Sequence, residues 1–524
     1  MKKNKLFVII TIVIILTVIL GITGTFLIGN YIEDKLQNQQ VDTYHITSRE
    51  AKVNLFLTQV KIINIEILDS ESDNIISIPE IDATGIQIFP LLFKDRLIIN
   101  KLDIYSPEIV LTKEALNQEG IKEKREANMT SEQEIDVEYV RIKKLKIKDA
   151  SFSLQKPLRE KPDTIFFINS NLEIWELNIN SNQEKLTFKD HSAKQIQIMM
   201  NNGRFNLPGG LYRLQIESIA FDSVTETLSC ENIYLASLYS KYELGKFKGV
   251  QTDWYDISLK VFELKGINMD ALLTDTALIF RTALLEEMNA HIFRDKRYPF
   301  PEKPDTKLPM EMMESLPFSI HTDSVLIKRS NIIYEEFGEE SVETGMVSFN
   351  QLYASVYNFS TITSLIEGQT AMSARAMVMN ESLLNAEFIF PNNKFSHQYS
   401  VNGYLEAMNI TSLNPMIVPS AFVKVKDGHI KRLDFKFVYD SYISKGNLNM
   451  EYEDLDISAL DKEDGSKKKI KSFIIKTFVL KKDNLKEKNS YQEGSISFER
   501  NKKKSIFNYW WKSIFSGIQD ILVF

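Results

Sequence analysis

The sequence holds a single cysteine, Cys230. That excludes an intramolecular disulfide and a thiolate cluster holding zinc. Histidine is almost as scarce: the six residues His45, His191, His291, His321, His397 and His429 stand singly, with no His-x-x-x-His spacing. Each reads as an ordinary strand or surface histidine. No Gly-rich phosphate loop, Walker sequence or Gly-x-Ser-x-Gly elbow is present, and Gly209-Gly210 and Gly428-His429 are turn signals only. The acidic pairs Glu335-Glu336 and Glu339-Glu340 flank Gly338 and read as a solvated hairpin loop. These absences point to binding or structure rather than catalysis, with no cofactor and no metal expected. A net charge of −7 lacks the basic footprint of a nucleic-acid binder.

What is present begins at the amino terminus. Lys2, Lys3 and Lys5 precede an uncharged apolar run from Leu6 to Ile28 that includes Phe7, Val8, Ile9, Leu16, Leu20, Phe26 and Leu27. A helix over about 23 residues rises about 34 Å, enough to cross a hydrocarbon core of about 30 Å. A cleaved secretory signal would have an apolar region of about 7–15 residues and a small-x-small site. Here the run continues through Gly21 and Gly24 to Gly29 without an Ala-x-Ala pattern, so a retained anchor is expected. The positive-inside rule leaves the lysines in the cytoplasm and exports the rest. No second apolar run of that length follows, which makes the expected topology single-pass. A large exported chain without disulfides suits a bacterial envelope better than a disulfide-stapled secreted module.

Beyond the anchor, apolar residues recur with period two, the mark of strands with one buried face. Leu384-Asn-Ala386-Glu-Phe388-Ile-Phe390, Phe435-Lys-Phe437 and Leu448-Asn-Met450-Glu-Tyr452 are examples. The expected fold is therefore mainly β. Within some runs the phase slips: Val140 and Ile142 share one parity, Leu145 and Ile147 the other, and Phe152 with Leu154 return to the first. Each slip implies a turn, a bulge or a new strand.

A degenerate ten-residue pattern recurs at Leu102–Leu111, Leu145–Leu154 and Val325–Tyr334. Apolar residues stand at positions one and three, a small residue or proline near the middle, and apolar or aromatic residues at eight and ten. The expected unit is strand, short turn, strand, with genuine repetition and chance similarity both open.

Three segments interrupt the strands. Residues 117–134 are charged and aperiodic and read as a solvated loop. Asp275–Phe293 carries Ala277, Phe280, Ala283, Leu284 and Met288 at helical spacing, which predicts a helix capped by Thr274 or Asp275. Residues 294–316 follow, with Pro299, Pro301, Pro304 and Pro309 among charges, and read as a linker or a long surface loop. The expected organisation is 1–35 basic start and anchor, 36–293 first β-rich region ending in that helix, 294–316 linker or loop, 317–500 second β-rich region, and 501–524 basic segment and terminal helix.

The terminal helix is strongly amphipathic. Trp511, Phe515, Ile518 and Leu522 share one side, widened by Trp510, Ile514 and Ile521, with Lys512, Ser513, Ser516, Gln519 and Asp520 opposite. At about 21 Å it is too short to cross a bilayer. Arg500, Lys502, Lys503 and Lys504 lie just upstream, a cluster of the kind that adheres to anionic headgroups. Two placements stay open: a helix lying in a membrane surface, carried by Trp510, Trp511, Ile514, Phe515, Ile518 and Leu522, or a cover over the end of the sheet.

The anchor followed by a long β region resembles the AsmA-like envelope proteins. Ile88-Phe89-Pro90-Leu91-Leu92, Leu97-Ile-Ile99, Leu102-Asp-Ile104, Pro107, Ile109 and Leu111 resemble that family's amino-terminal signature. Gly403-Tyr-Leu405, Leu413-Asn-Pro415, Val423–Gly428 and Leu433–Phe437 resemble its carboxy-terminal core. The resemblance implies an inner-membrane anchor with the bulk of the chain in the periplasm. It also implies a repeating β-groove shared with bridge-like lipid-transfer proteins: a long curled antiparallel sheet whose apolar face carries phospholipid acyl chains toward the outer membrane. Membrane lipids are the implied partners, beside possible envelope proteins. Candidate groove-lining residues are Phe152, Leu154, Phe388, Phe390, Phe435, Phe437, Leu448 and Met450. The rival reading is a tethered β-sandwich scaffold or adhesion module without lipid.

Overall fold

The computed structural model describes residues 39–41, 44–54, 58–69, 74–112, 139–155, 165–180, 191–274, 277–366, 368–391, 398–460 and 481–522. The anchor residues Leu6, Phe7, Val8, Ile9, Leu16, Leu20, Phe26, Leu27 and Ile28 lie outside them, as do residues 117–134. Among the described residues no helix is long and apolar enough to cross a membrane. The chain is mainly β, with 23 strands and six α-helices described. It forms two compact units, Met1–Ile233 and Tyr234–Phe524.

In the first unit the strands are β1 (Gln39–Val41), β2 (Tyr44–Asn54), β3 (Gln59–Asp69), β4 (Ile75–Ile86), β5 (Arg96–Tyr105), β6 (Glu108–Thr112), β7 (Tyr139–Gln155), β8 (Ile165–Asn180), β9 (His191–Ser192), β10 (Gln195–Asn206) and β11 (Tyr212–Asp222). Isoleucine dominates β3 to β5, and β-branched side chains suit a pleated, half-buried surface. Register places them on one face: Ile46 opposite Ile67, Ile62 opposite Ile81, Ile81 opposite Ile104 and Leu102 opposite Leu145. This face is dry from β2 to β8, with Ile62, Leu97 and Ile99 fully buried. Helix α1 (Ile88–Lys94) adds Leu91 to that core and leaves Phe89 and Phe93 exposed, their rings 4.9 Å apart.

The second unit holds β13 (Asp253–Lys265), β14 (Ala277–Asp295), β15 (Ser319–Phe337), β16 (Thr344–Ser360), β17 (Thr370–Val378), β18 (Ser382–Phe390), β19 (Tyr399–Leu405), β20 (Met408–Asn409), β21 (Val423–Tyr439), β22 (Ile443–Ala459) and β23 (Gly494–Glu499). Between these two sets β12 (Thr227–Ser237) runs through the division. Helices α2 (Lys241–Lys248), α3 (Met269–Thr274), α4 (Pro309–Glu314), α5 (Asn414–Ala421) and α6 (Ile506–Leu522) flank the strands.

Two expectations are corrected. The sheet is mixed rather than antiparallel throughout, because β5 and β6 pair parallel with β7, and β14 pairs parallel with β15. Residues 277–293 do not form a helix: they lie in β14, a strand of 19 residues, antiparallel to β13 and parallel to β15. Its apolar residues change parity at Glu287, whose φ is 57°, and a strand with one such slip imitates helical spacing.

The repeat explains the slip. In all three copies the fifth residue adopts the left-handed region: Ser106 at 47°, Asp149 at 51° and Arg329 at 48°. The middle of each unit is therefore a break or bulge that restores the apolar face, not a hairpin turn. Copies one and two lie side by side in register, Leu102 opposite Leu145 and Leu111 opposite Leu154. Ala283–Ile292 in β14 is a fourth copy, with Glu287 fifth, and it lies in register with the third, Ala283 opposite Val325 and Ile292 opposite Tyr334. Bulges sharpen local twist and bend, which favours curling of the strands around them.

Parallel neighbours cannot be joined by a hairpin and need a connection of a dozen or more residues. Residues 296–318 are that connection between β14 and β15, inside the second unit. They are tied down: Leu308 is fully buried, the Thr306 amide donates to the Lys502 carbonyl at 2.8 Å, and Arg500 donates to the Thr306 carbonyl. Glu335 and Glu336, read from sequence as part of a solvated loop, lie in β15 instead. Lys241 Nζ stands 2.6 Å from Glu335, and Lys296 Nζ 2.5 Å from Glu336.

Candidate functional site

The feature that stands out in the second unit is one continuous apolar face. Register carries a row across it: Leu264, Ala283, Val325, Val356, Met372, Phe388, Val401 and Phe437 follow one another on eight strands. The adjacent row runs Phe262, Leu285, Ile327, Ala354, Ala374, Ala386, Gly403, Phe435 and Leu448. Because directly opposed residues project to the same side, these side chains form one surface with no charged member.

The face differs along its length. At β18 to β22 it is sealed, with Phe437 1% exposed and Leu448 fully buried. Helix α6 does the sealing. Its Trp510 ring lies 4.6 Å from that of Phe388, Tyr509 meets Tyr439 edge-on at 5.6 Å, and the hydroxyls of Ser513 and Ser444 are 2.7 Å apart. Toward β15 to β17 the same face is only half-buried, at Val325, Ile327, Val356 and Met372.

Six of the eight sequence-predicted lining residues lie on this face: Phe388, Phe390, Phe435, Phe437, Leu448 and Met450, all buried at its sealed end. Phe152 and Leu154 lie in β7 of the first unit, Leu154 buried and Phe152 half-buried. The half-buried stretch on β13 to β17 was missed. Tyr255-Asp-Ile257-Ser-Leu259 alternates plainly, and the fourth repeat copy in β14 was the signal that joins it to β15.

The terminal helix covers the sheet, and the face it uses overlaps the expected one only at Trp510 and Ile521. Ile506, Tyr509, Ser513, Gly517 and Ile521 are buried against the strands. Phe515, Ile518 and Leu522 are half-buried, Ile514 likewise, and Trp511 is 53% exposed beside Phe507 at 71%. The stripe of greatest hydrophobicity thus lies to the side, because the closest approach to the sheet requires small residues such as Ser513 and Gly517.

At one strand end the apolar rows give way to charge. Arg294 and Glu336 stand opposite one another on the same face, next to Ile292 and Tyr334. Arg294 pairs with Asp253 on β13. Burial opposes its charge, yet the Asp253 hydrogen bond prevails and raises the guanidinium pKa. Burial, reinforced by the Glu336 carboxylate, holds the Tyr334 phenol well above its ordinary value. Two further cations reach this edge from the last residues of the chain. Lys504 is lowered by burial and then by Lys296, Arg294 and Lys303; Lys512 is lowered by burial and then by Lys296.

No family model matches the chain, and no curated protein matches it.

Proposed function

We propose that this chain is a non-enzymatic, membrane-anchored envelope protein that holds lipid acyl chains on the apolar face of its second unit, in the manner of the AsmA-like proteins its sequence resembles, and supports phospholipid movement toward the outer membrane. The observation that carries the reading is the unbroken pair of apolar rows from β13 to β21, the second continuing to Leu448 on β22, half-buried at β15 to β17. An apolar surface of that extent is favourable to keep from water at roughly 25 cal/mol per Å², and an acyl chain does so without a polar group to desolvate. Leu6–Ile28 would place the protein in the inner membrane, with the units in the periplasm.

A scaffold without lipid is favoured by the first unit, whose face is dry from β2 to β8. The two readings separate on mass spectrometry of lipids that co-purify with the full chain in mild detergent. Stoichiometric phospholipid, lost on replacing Ile327 and Val356 with serine in a protein that stays folded, supports the acyl-chain reading. No bound lipid in the parent protein leaves the scaffold.

A further inference from the structure

The edge where the apolar rows end holds more positive charge than its carboxylates match. Arg294 is paired with Asp253, Lys296 with Glu336 at 2.5 Å, and Lys503 with Asp305 at 2.9 Å. Lys504 and Lys512 are half-buried and form no salt bridge among the described residues, and the carboxylate whose charge acts on both, Glu336, is already paired with Lys296. In a chain of net charge −7, leaving two ammonium groups part-desolvated beside other cations is unfavourable until an anion joins them. Burial first, and then Lys296, lower the pKa of both lysines, with Arg294 and Lys303 adding to the effect at Lys504, while the Glu336 carboxylate acts in the opposite sense on each.

The side chains are also held in place. The Lys504 Nζ lies 3.7 Å from the centre of the Phe300 ring, and the Lys303 Nζ lies 5.5 Å from the same ring. Lys503 donates to the Lys303 carbonyl at 2.7 Å, which fixes the connection 296–318 to the basic segment. Phe300, Pro301, Glu302, Lys303 and Lys503 border a surface recess of about 630 Å³. Aromatic contact orients ammonium groups without neutralising them.

We propose that Lys504 and Lys512, with Lys303 beside them, receive the phosphate-bearing headgroup of an anionic phospholipid whose acyl chains lie on the adjoining apolar rows. This rests on the acyl-chain reading above and adds the class of lipid. Phosphate is the matching chemistry, since Lys504 and Lys303 share the Phe300 ring and Glu336, the carboxylate that acts on both Lys504 and Lys512, is already engaged by Lys296.

The test is native mass spectrometry of the full chain in mild detergent, offered equal amounts of phosphatidylglycerol and phosphatidylcholine with identical acyl chains. The parent protein retains the anionic lipid in clear excess. The double variant Lys504→Gln with Lys512→Gln retains as much lipid in total but loses most of that preference, while Lys504→Arg with Lys512→Arg keeps it. Each single glutamine variant shows a partial loss, so one poorly folding variant does not decide the matter. Equal retention of the two lipids by the parent, or a preference that survives the double glutamine change, overturns the headgroup site and leaves the acyl-chain reading standing. No retained lipid of either kind overturns both. Thermal melts with inorganic phosphate alone separate the source of the anion: a stabilisation equal to that of the anionic lipid, absent in the double variant, assigns the site to free phosphate and overturns the lipid.

Discussion

Gly517 lies so close to Leu448 that a Cβ placed on the glycine would stand 2.8 Å from the leucine Cβ and 3.0 Å from Ile496 Cγ1. Glycine to alanine inside a helix ordinarily stabilises by about 1 kcal/mol. Here the added methyl meets the sheet itself, and overpacking costs about 1–3 kcal/mol. Gly517→Ala is therefore expected to loosen α6 and lower the denaturation midpoint, with a change in the fluorescence of Trp510, whose ring meets that of Phe388 at a tilt. An unchanged or raised midpoint would show that the helix does not bear on the strands this tightly.

The two ends of the apolar face should respond differently to the same chemistry. Phe437→Ser removes a ring that is 1% exposed beneath α6 and is expected to cost about 3–5 kcal/mol. Ile327→Ser alters a half-buried position in the same unit and is expected to cost about 1 kcal/mol while reducing bound lipid. Equilibrium unfolding in urea alongside lipid quantification measures both.

Acid should weaken the first unit through Asp103. Burial opposes its charge, but hydrogen bonds from Lys101 at 2.5 Å and Tyr105 at 3.0 Å, with the Lys148 charge nearby, hold the carboxyl below the ordinary aspartate value. A lowered folded-state pKa means the contribution is complete above the ordinary value near about 3.9 and disappears as pH falls through the folded one. Stability should decline across that acid window. Asp103→Asn should be less stable at neutral pH and flatter in the same window, as urea midpoints across pH would record.

Asp149 and Arg329 test the bulges. Both hold left-handed φ inside long strands, which a Cβ makes unfavourable by about 1–2 kcal/mol and a branched one more so. Valine at either position should lower the melting temperature more than glycine does. For Arg329 both variants also lose its contacts to Glu286 and Glu287 at 2.9 Å, so the difference between them isolates the backbone.

The period-two alternation made the strands legible, and it placed Phe388, Phe390, Phe435 and Phe437 on one face. The ten-residue pattern was legible too, but its physical meaning was not: a left-handed residue at the fifth position keeps a strand running, where the sequence suggested a turn. The same device hid β14. Apolar side chains on both parities of a slipped strand coincide with helical spacing, and only its pairing with β13 and β15 decides between them. The orientation of α6 was obscured for a different reason. Hydrophobicity locates the greasiest stripe of a helix, whereas close packing selects the stripe with the smallest residues, here Ser513 and Gly517.

The connection between β14 and β15 also bears on how the protein is made. Two parallel strands of 19 residues cannot zip from a tight turn, so their pairing waits on closure of the intervening segment. That segment is fastened by Arg500, Lys502 and Lys503, which follow it in the chain by roughly two hundred residues. During synthesis Gln251 can already hold residues 296–299, whereas residues 303–306 remain unfastened until residues 500–503 have emerged. Through that interval the β18 to β22 face also lacks its cover, because α6 follows the same residues in the chain.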